Sequence, residues 1–181
     1  IKIEHQAYLN FAVSLAIYDT LLEYDVPKLY IKWPNDIMSD NKKICGILIE
    51  NTFFDFRIKN TIVGIGLNVN QEKFDESLIN ASSLKIILKK NIDLEALMNK
   101  IIDNINIKIS CVELGNFNLI HNQYHEVLFR KGIPTTFLNQ KTNQLFMGMI
   151  HGVTSSGDIQ IQLEDNTIRE FRLKEISFAK V

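Results

Sequence analysis

The sequence is poor in cysteine and carries no excess of either charge. Its two cysteines, Cys45 and Cys111, stand far apart and outside any metal-type spacing, which weighs against a disulfide or a cysteine-based metal site. Each reads as a small buried hydrophobe, and reduced thiols fit a cytoplasmic protein. Twenty basic residues face twenty-one acidic ones, a formal net charge of −1, so no basic footprint points to nucleic acid or to an anionic membrane. No apolar run reaches the length of about 18 residues that a membrane-spanning helix needs, and no signal-peptide pattern occurs. The four histidines, His5, His121, His125 and His151, lack metal spacing with acids or cysteines. His121 and His125 lie one helical turn apart, as two zinc ligands can, but with no third ligand they read as a polar helix face. Ser-His-Asp and Cys-His arrangements, internal repeats and low-complexity tracts are also absent. A partner must therefore be sought in a local site.

What is present is a globular composition, 46% hydrophobic and 23% charged, in a chain long enough to bury roughly 70% of the surface its unfolded form exposes. Apolar positions Ala7, Phe11, Ile17, Tyr18, Leu21 and Leu22 predict a helix over residues 4–23 with one buried face, stopped before Pro27. Residues 29–33 predict a strand that ends at Pro34, with turn chemistry in Asn35-Asp36. The β-branched, glycine-punctuated runs 44–50 and 61–69 predict buried strands, joined through a hairpin within 51–60. Asp93 is a candidate N-cap for a helix over 93–112 with Leu94, Leu97, Ile101, Ile102 and Ile105 on its apolar side, and a second helix is expected over 117–129. After Lys131-Gly132-Ile133-Pro134 the composition changes. Short strands are expected at 135–138, 146–153, 159–163 and 168–173, separated by Ser156-Gly157-Asp158 and Asp165-Asn166, the punctuation of a small antiparallel barrel. The expected organisation is an α/β part, residues 1–130, followed by a β-rich part, residues 131–181.

Three segments bear on chemistry. In Lys32-Trp33-Pro34-Asn35-Asp36 a cation, an amide and a carboxylate meet at a strand end, where phosphate and magnesium can be bound together. The same residues also suit an ordinary strand-to-turn junction. Lys43 opens Lys43-Ile44-Cys45-Gly46-Ile47-Leu48-Ile49-Glu50, so its ammonium can reach a site floor, or simply project as part of a solvated hairpin tip with Lys42. Gly46 removes a side chain where a ligand could approach the backbone. In Gly64-Ile65-Gly66-Leu67-Asn68-Val69-Asn70 two glycines lie within one apolar strand beside a directional polar group. The third glycine and the following helix of a dinucleotide fingerprint are missing, which excludes a Rossmann assignment.

In this order and at these distances the three segments resemble the signature of biotin–protein ligases: a Lys-Trp-Pro-Asn-Asp turn, a Lys-Ile/Leu-x-Gly-Ile-Leu-x-Glu strand and a Gly-x-Gly-x-Asn-x-Asn strand. The resemblance runs over residues 7–70, and the β-rich tail loosely resembles the family's SH3-like C-terminal domain. It implies an α+β fold, the mixed sheet with helices of class II synthetases and biotin–lipoate ligases, followed by a small SH3-like β-barrel. It also implies ATP-dependent activation of biotin to biotinyl-AMP, with Mg2+, and transfer to a lysine of a biotin carboxyl carrier protein. By the same resemblance Lys43 is the central catalytic lysine between biotin carboxylate and phosphate, and Asp36 orients or deprotonates the attacking amine. Lys32, Asn35, Asp36 and Asn68 belong to the adenylate site, with Asp36 and Asn68 near the magnesium. Lys43, Gly46, Leu48, Gly64 and Gly66 line biotin. Glu175 falls where the family has an acidic residue in the tail, but Ala179-Lys180 stands where some relatives have an arginine.

The family's Gly-Arg-Gly-rich loop and its ureido-recognising Ser/Thr-Asn and Gln residues, which lie upstream of this region, have no counterpart here. The expectation is a fragment that begins downstream of half the site, binds biotin poorly and is inactive alone. Pairing of two copies through sheet edges is a further expectation from the family, whereas DNA binding has no support in this chain. Three other functions remain open: a lipoate- or octanoate-transferring enzyme, which would lack the Trp33-Pro34-Asn35 turn; a ligase-derived domain kept for binding without catalysis; and a transcriptional repressor that doubles as the ligase, which needs an N-terminal helix-turn-helix.

Overall fold

A computed structural model describes residues 1–179; Lys180 and Val181 lie outside the described residues. After a 3-10 turn at Ile3–His5, helix α1 spans Gln6–Glu23. It is buried around most of its circumference, from Tyr8 and Leu9 through Phe11 to Ile17, and at Thr20 and Leu21. The expectation of one buried face fails because α1 lies between layers. It packs on two other helices and on the first sheet, and a helix covered on several sides can be apolar all round. Asp25, at φ 60, ends it, and the Val26 amide folds back onto the Leu21 carbonyl at 3.1 Å.

The first sheet is antiparallel, in the order β1 (Leu29–Lys32), β2 (Asp36–Ser39), β3 (Lys42–Phe54) and β4 (Arg57–Leu67). β3 and β4 are joined by Asp55-Phe56, both at positive φ, the primed turn that matches strand twist. β2 is too short to show a pattern and was not expected. Nor are β3 and β4 buried strands: Cys45 and Ile47 face the core, while Leu48 and Ile62 on the opposite face are 60% and 65% exposed. Helices cover one face of the sheet and leave the other open.

A single turn, α2 (Leu84–Leu88), precedes α3 (Leu94–Glu113), whose first amides, Glu95 and Ala96, donate to the expected cap Asp93. Of the expected apolar side, Leu97 and Ile101 are buried, but Leu94 and Ile102 are exposed. α4 (Phe117–Glu126) ends earlier than expected. Residues 127–129 instead run alongside β1, with Ile31 N donating to Val127 O at 2.8 Å and Phe129 N to Ile31 O at 2.9 Å, which pairs the outer edge of that strand.

The second sheet contains β5 (Pro134–Asn139), β6 (Gln144–Val153), β7 (Ile159–Gln162), β8 (Ile168–Phe171) and β9 (Ile176–Phe178), in the order β8-β7-β6-β5-β9. β9 was not expected, since three residues carry no readable alternation. The strand pairing describes an open antiparallel sheet with β8 and β9 at its ends, not a closed barrel. Phe137, Ile150, Val153, Ile159 and Ile161 from this sheet join the same apolar cluster as Phe11, Tyr124 and Trp33. Among the described residues no helix is long and apolar enough to cross a membrane.

Candidate functional site

Cross-strand register assembles the site. Lys32 pairs with Asp36, Asp36 with Gly46 and Gly46 with Gly66. Paired residues share a face, so these four form one row across β1 to β4 on the open side of the sheet. Leu48 and Gly64 form the next pair on that face. Alternation alone would turn Lys43 toward the core with Cys45. A bulge prevents this: Ile37 pairs with Cys45 and Met38 with Lys43, leaving Ile44 without a partner. Ile44 and Cys45 are both buried, and Lys43 emerges on the open face beside Gly46. An extra residue that re-aims a side chain is what a bulge supplies.

Lys43 Nζ lies 2.6 Å from Asp36 Oδ1, with the lysine side chain about half exposed. Gly46 sits beneath the pair: a Cβ there would lie 3.2 Å from Lys43 Nζ and 3.7 Å from Asp36 Oδ1. At Gly64 and Gly66 a Cβ would meet only ordinary contacts, at 3.7 and 3.6 Å. The packing does not require glycine at these two positions. Their effect is a flat, bare floor beside an ammonium–carboxylate pair.

Lys32 is half-buried, its Nζ 4.6 Å from the centre of the Phe178 ring. Burial pushes its pKa down, the cations of Lys43 and Arg130 push it further, and Asp36 opposes them. Lys43 and Lys32 thus flank the Asp36 carboxylate, and Arg130 acts on Lys32 from beside it, a field that favours an anionic guest. Neither Arg130, whose guanidinium stacks 5.5 Å from the Phe129 ring, nor Phe178 was anticipated. Each lies far along the chain from Lys32 and belongs to no motif; only the basic residue at the end of the helical pattern could have hinted at Arg130.

Asn35 and Asn68 are placed differently from the charged residues. The Asn35 side-chain amide donates to Ile47 O, and Ile47 N donates to Asn35 O at 2.9 Å, so Asn35 fastens its turn to β3. Asn68 Nδ2 donates to Ser82 O at 3.0 Å and its Oδ1 accepts from Gln71 Nε2 at 3.3 Å. Together with Lys43 N donating to Asn80 O and Ser82 N to Lys43 O, these bonds lay the 68–83 loop against the start of β3. Glu175 lies away from this row, bonded to Lys141 and to the Arg172 amide at 2.9 Å. Asp36 is the one carboxylate in the row, and one carboxylate suits Mg2+ only when substrate phosphate oxygens and water complete the shell.

Cys45 is buried and its thiol is pushed up to about 12, first by burial and then by the Asp36 charge, which makes it a packing residue, not a nucleophile. His121 and His125 do not form a solvated face. They point at the second sheet, His121 Nε2 donating to Val153 O at 2.8 Å and Lys131 Nζ donating to His125 Nδ1 at 3.1 Å.

Residues 3–70 match the Biotin/lipoate A/B protein ligase family, the stretch that holds all three sequence motifs. The chain is 29% identical over 138 residues to the bifunctional ligase/repressor BirA of Bacillus spizizenii, an alignment covering 75% of this chain and 42% of that protein. It is 40% identical over 65 residues to the biotin–[acetyl-CoA-carboxylase] ligase of Paracoccus denitrificans, covering 35% of this chain and 27% of that protein. The chain thus spans less than half the length of either relative. Its fold resembles that of the biotin protein ligase from Aquifex aeolicus in complex with biotin and ATP, at a TM-score of 0.80 and 24% identity over 99% of this chain and 74% of that one.

Proposed function

We propose that this chain carries the lysine-bearing side of a biotin–protein ligase site, in which a carboxylate is joined to the α-phosphate of ATP and then passed to a protein lysine. The observation that carries the reading is the Lys43–Asp36 pair, 2.6 Å apart over the floor of Gly46, Gly64 and Gly66. In the first step a biotin carboxylate oxygen bonds to the α-phosphorus as pyrophosphate leaves. Two anions must meet, and a fixed ammonium lowers the repulsion between them. Lys43 is the group for that task, with Lys32 supporting the phosphate side. Gly46, Leu48, Gly64 and Gly66 are the surface on which the biotin ring and tail lie. In the second step the amine of a carrier lysine attacks the acyl carbon, the C–N bond forms and AMP leaves; Asp36 receives the amine proton or orients the amine.

Mg2+ arriving with the nucleotide would be held by Asp36, with Asn68 Oδ1 as the further oxygen, and would screen the phosphate charge. Asn35 and Asn68 act on the adenylate through the turn and loop that they hold. The natural acceptor is a biotin carboxyl carrier protein or domain in the cytoplasm, and two copies of the ligase associate through sheet edges. We read residues 1–130 as the catalytic part and 131–181 as an SH3-like tail, a description that fits four short antiparallel strands in meander order with a last strand returning beside the first. Because the family model spans both biotin and lipoate enzymes, lipoate or octanoate transfer is the second reading, and Trp33-Pro34-Asn35 favours biotin over it.

The test is exchange of labelled pyrophosphate into ATP by the full-length gene product, with biotin, lipoate or octanoate added singly. Exchange with biotin alone is expected, falling at least about 100-fold in Lys43→Ala, the range seen when one charge-stabilising group is removed. Exchange with lipoate or octanoate only would transfer the protein to the second reading. Silence with all three acids would leave a binding domain without catalysis.

A further inference from the structure

We propose that Trp33 and Gly157 form a strut through which the second sheet positions the Asp36-bearing turn of the site; the catalytic consequence rests on the ligase reading above. Asp36 follows directly on the turn 33–35, and that turn is held from four directions. Asn10 Nδ2 on α1 donates to Pro34 O at 2.8 Å, and the Tyr124 hydroxyl on α4 donates to the same oxygen at 3.4 Å. Asn35 is bonded to Ile47 on β3. The fourth hold comes from the far end of the chain: the buried Trp33 indole Nε1 donates to Gly157 O at 2.9 Å.

The carbonyl that Trp33 uses is not a casual partner. The β6–β7 turn that presents it is closed by Thr154 N donating to Asp158 O at 2.8 Å, Gly157 N to Thr154 O at 3.0 Å and Asp158 N to Thr154 Oγ1 at 3.0 Å. Its base is fixed to α4, because Val153 O accepts from His121 and the His125 ring occupies the space that a Cβ on Gly152 would need. Gly157 has φ +92, and a Cβ there would lie 3.1 Å from the Cβ of Ala7 at the start of α1. The carbonyl direction is therefore set by a turn conformation that L side chains rarely adopt, at a position where a Cβ would press on Ala7. Withdraw that carbonyl and a buried N–H loses its partner, which the turn can relieve only by moving. Asp36 moves with it, and small misplacements of a reacting pair lower the rate of the chemical step more than the binding of substrate.

The experiment compares three variants of the full-length gene product. Gly157→Ala disturbs the acceptor and Trp33→Phe removes the donor. Gly115→Ala is the control, since Gly115 has an equally forbidding φ of +79 but nothing within 4 Å of its Cβ position, in the loop between α3 and α4. The Trp33 indole N–H signal is assigned by nuclear magnetic resonance in the full-length protein from its loss in Trp33→Phe. In Gly157→Ala that signal is expected to shift and to exchange faster with solvent, and the Asn35 side-chain amide signals to shift with it. In Gly157→Ala and Trp33→Phe kcat for biotin-dependent pyrophosphate exchange is expected to fall about tenfold with KM for biotin within about twofold, while Gly115→Ala keeps the wild-type kcat. An equal loss in Gly115→Ala, or wild-type kcat in Trp33→Phe, overturns the strut. If the wild-type protein shows no exchange with biotin, the ligase reading fails and the strut is judged on the Asn35 amide alone: a shift in Gly157→Ala upholds it and an unmoved signal overturns it.

Discussion

Gly46, Gly64 and Gly66 occupy one face of two strands, yet they do different things there. A Cβ on Gly46 would press on the tip of Lys43, at 3.2 Å from Nζ and 3.3 Å from Cε. That tip is flexible and partly exposed, so it can move aside without disturbing the core. Gly46→Ala is accordingly expected to melt within about 2 °C of the wild type but to lose about tenfold or more in exchange rate, because the Lys43–Asp36 pair is displaced. Gly64→Ala and Gly66→Ala meet only ordinary contacts. They should fold normally and raise KM for biotin with kcat largely retained, the signature of lost ground-state binding. Steady-state kinetics on the three variants would separate the roles; equal behaviour would refute them. All three glycines were legible as a pattern, but that Gly46 alone lies under the lysine follows from the bulge at Ile44, which no residue type announces.

Among the elements, α1 departs furthest from its expected form. Its apolar positions were legible, but its enclosure between sheet and helices was not, since sequence periodicity reports one face and α1 is buried on several. Enclosure has an energetic consequence at Ser14, which is fully buried and whose Oγ has no hydrogen-bond partner among the described residues. Removing a buried unsatisfied hydroxyl and gaining helix propensity should make Ser14→Ala more stable by about 1 kcal/mol, or about 2–4 °C in a chain of this length. Calorimetry would check it, and a lower Tm would show that the hydroxyl is satisfied. α3 and α4 were legible as helices from their apolar spacing, and β3 and β4 as strands from their β-branched content, although not their exposed face. β2, α2 and β9 were not, being fixed by their neighbours: β2 by pairing on both sides, and β9 by its pairing with β5.

At the scale of the whole molecule, the second sheet is joined to the helices at a polar contact that titrates. His125, on α4, is held down to about 4 by burial, by Lys131 and by the rings of His121 and His151. Its usual value is 6.5, so between about pH 6.5 and pH 4 the unfolded chain binds a proton that the folded chain refuses. The contribution of this group is complete above about pH 6.5 and falls away as the pH drops toward 4. Allowing for solvent screening of a partly exposed ring, the loss is on the order of 1 kcal/mol, read as a Tm about 2–4 °C lower at pH 4.5 than at pH 7. His125→Gln removes the titrating ring and should flatten that part of the profile. An unchanged slope in the variant would assign the acid sensitivity elsewhere.

The sequence by itself determined the identities and spacing of the chemical groups: a lysine, a carboxylate and a set of glycines in three segments between Lys32 and Asn70. Local physics suffices for this, because turn residues, β-branched runs and caps act over a few neighbours. The change in composition after Lys131 also announced the run of short strands that begins with β5 at Pro134. Only the tertiary structure decided which of those groups face one another. Register set the row Lys32, Asp36, Gly46 and Gly66, the bulge turned Lys43 onto it, and chain return brought Arg130 and Phe178 beside Lys32 and the Gly157 carbonyl to Trp33. Those outcomes depend on contacts such as that between Trp33 and Gly157, 124 positions apart, a separation at which periodicity and local propensity carry no information.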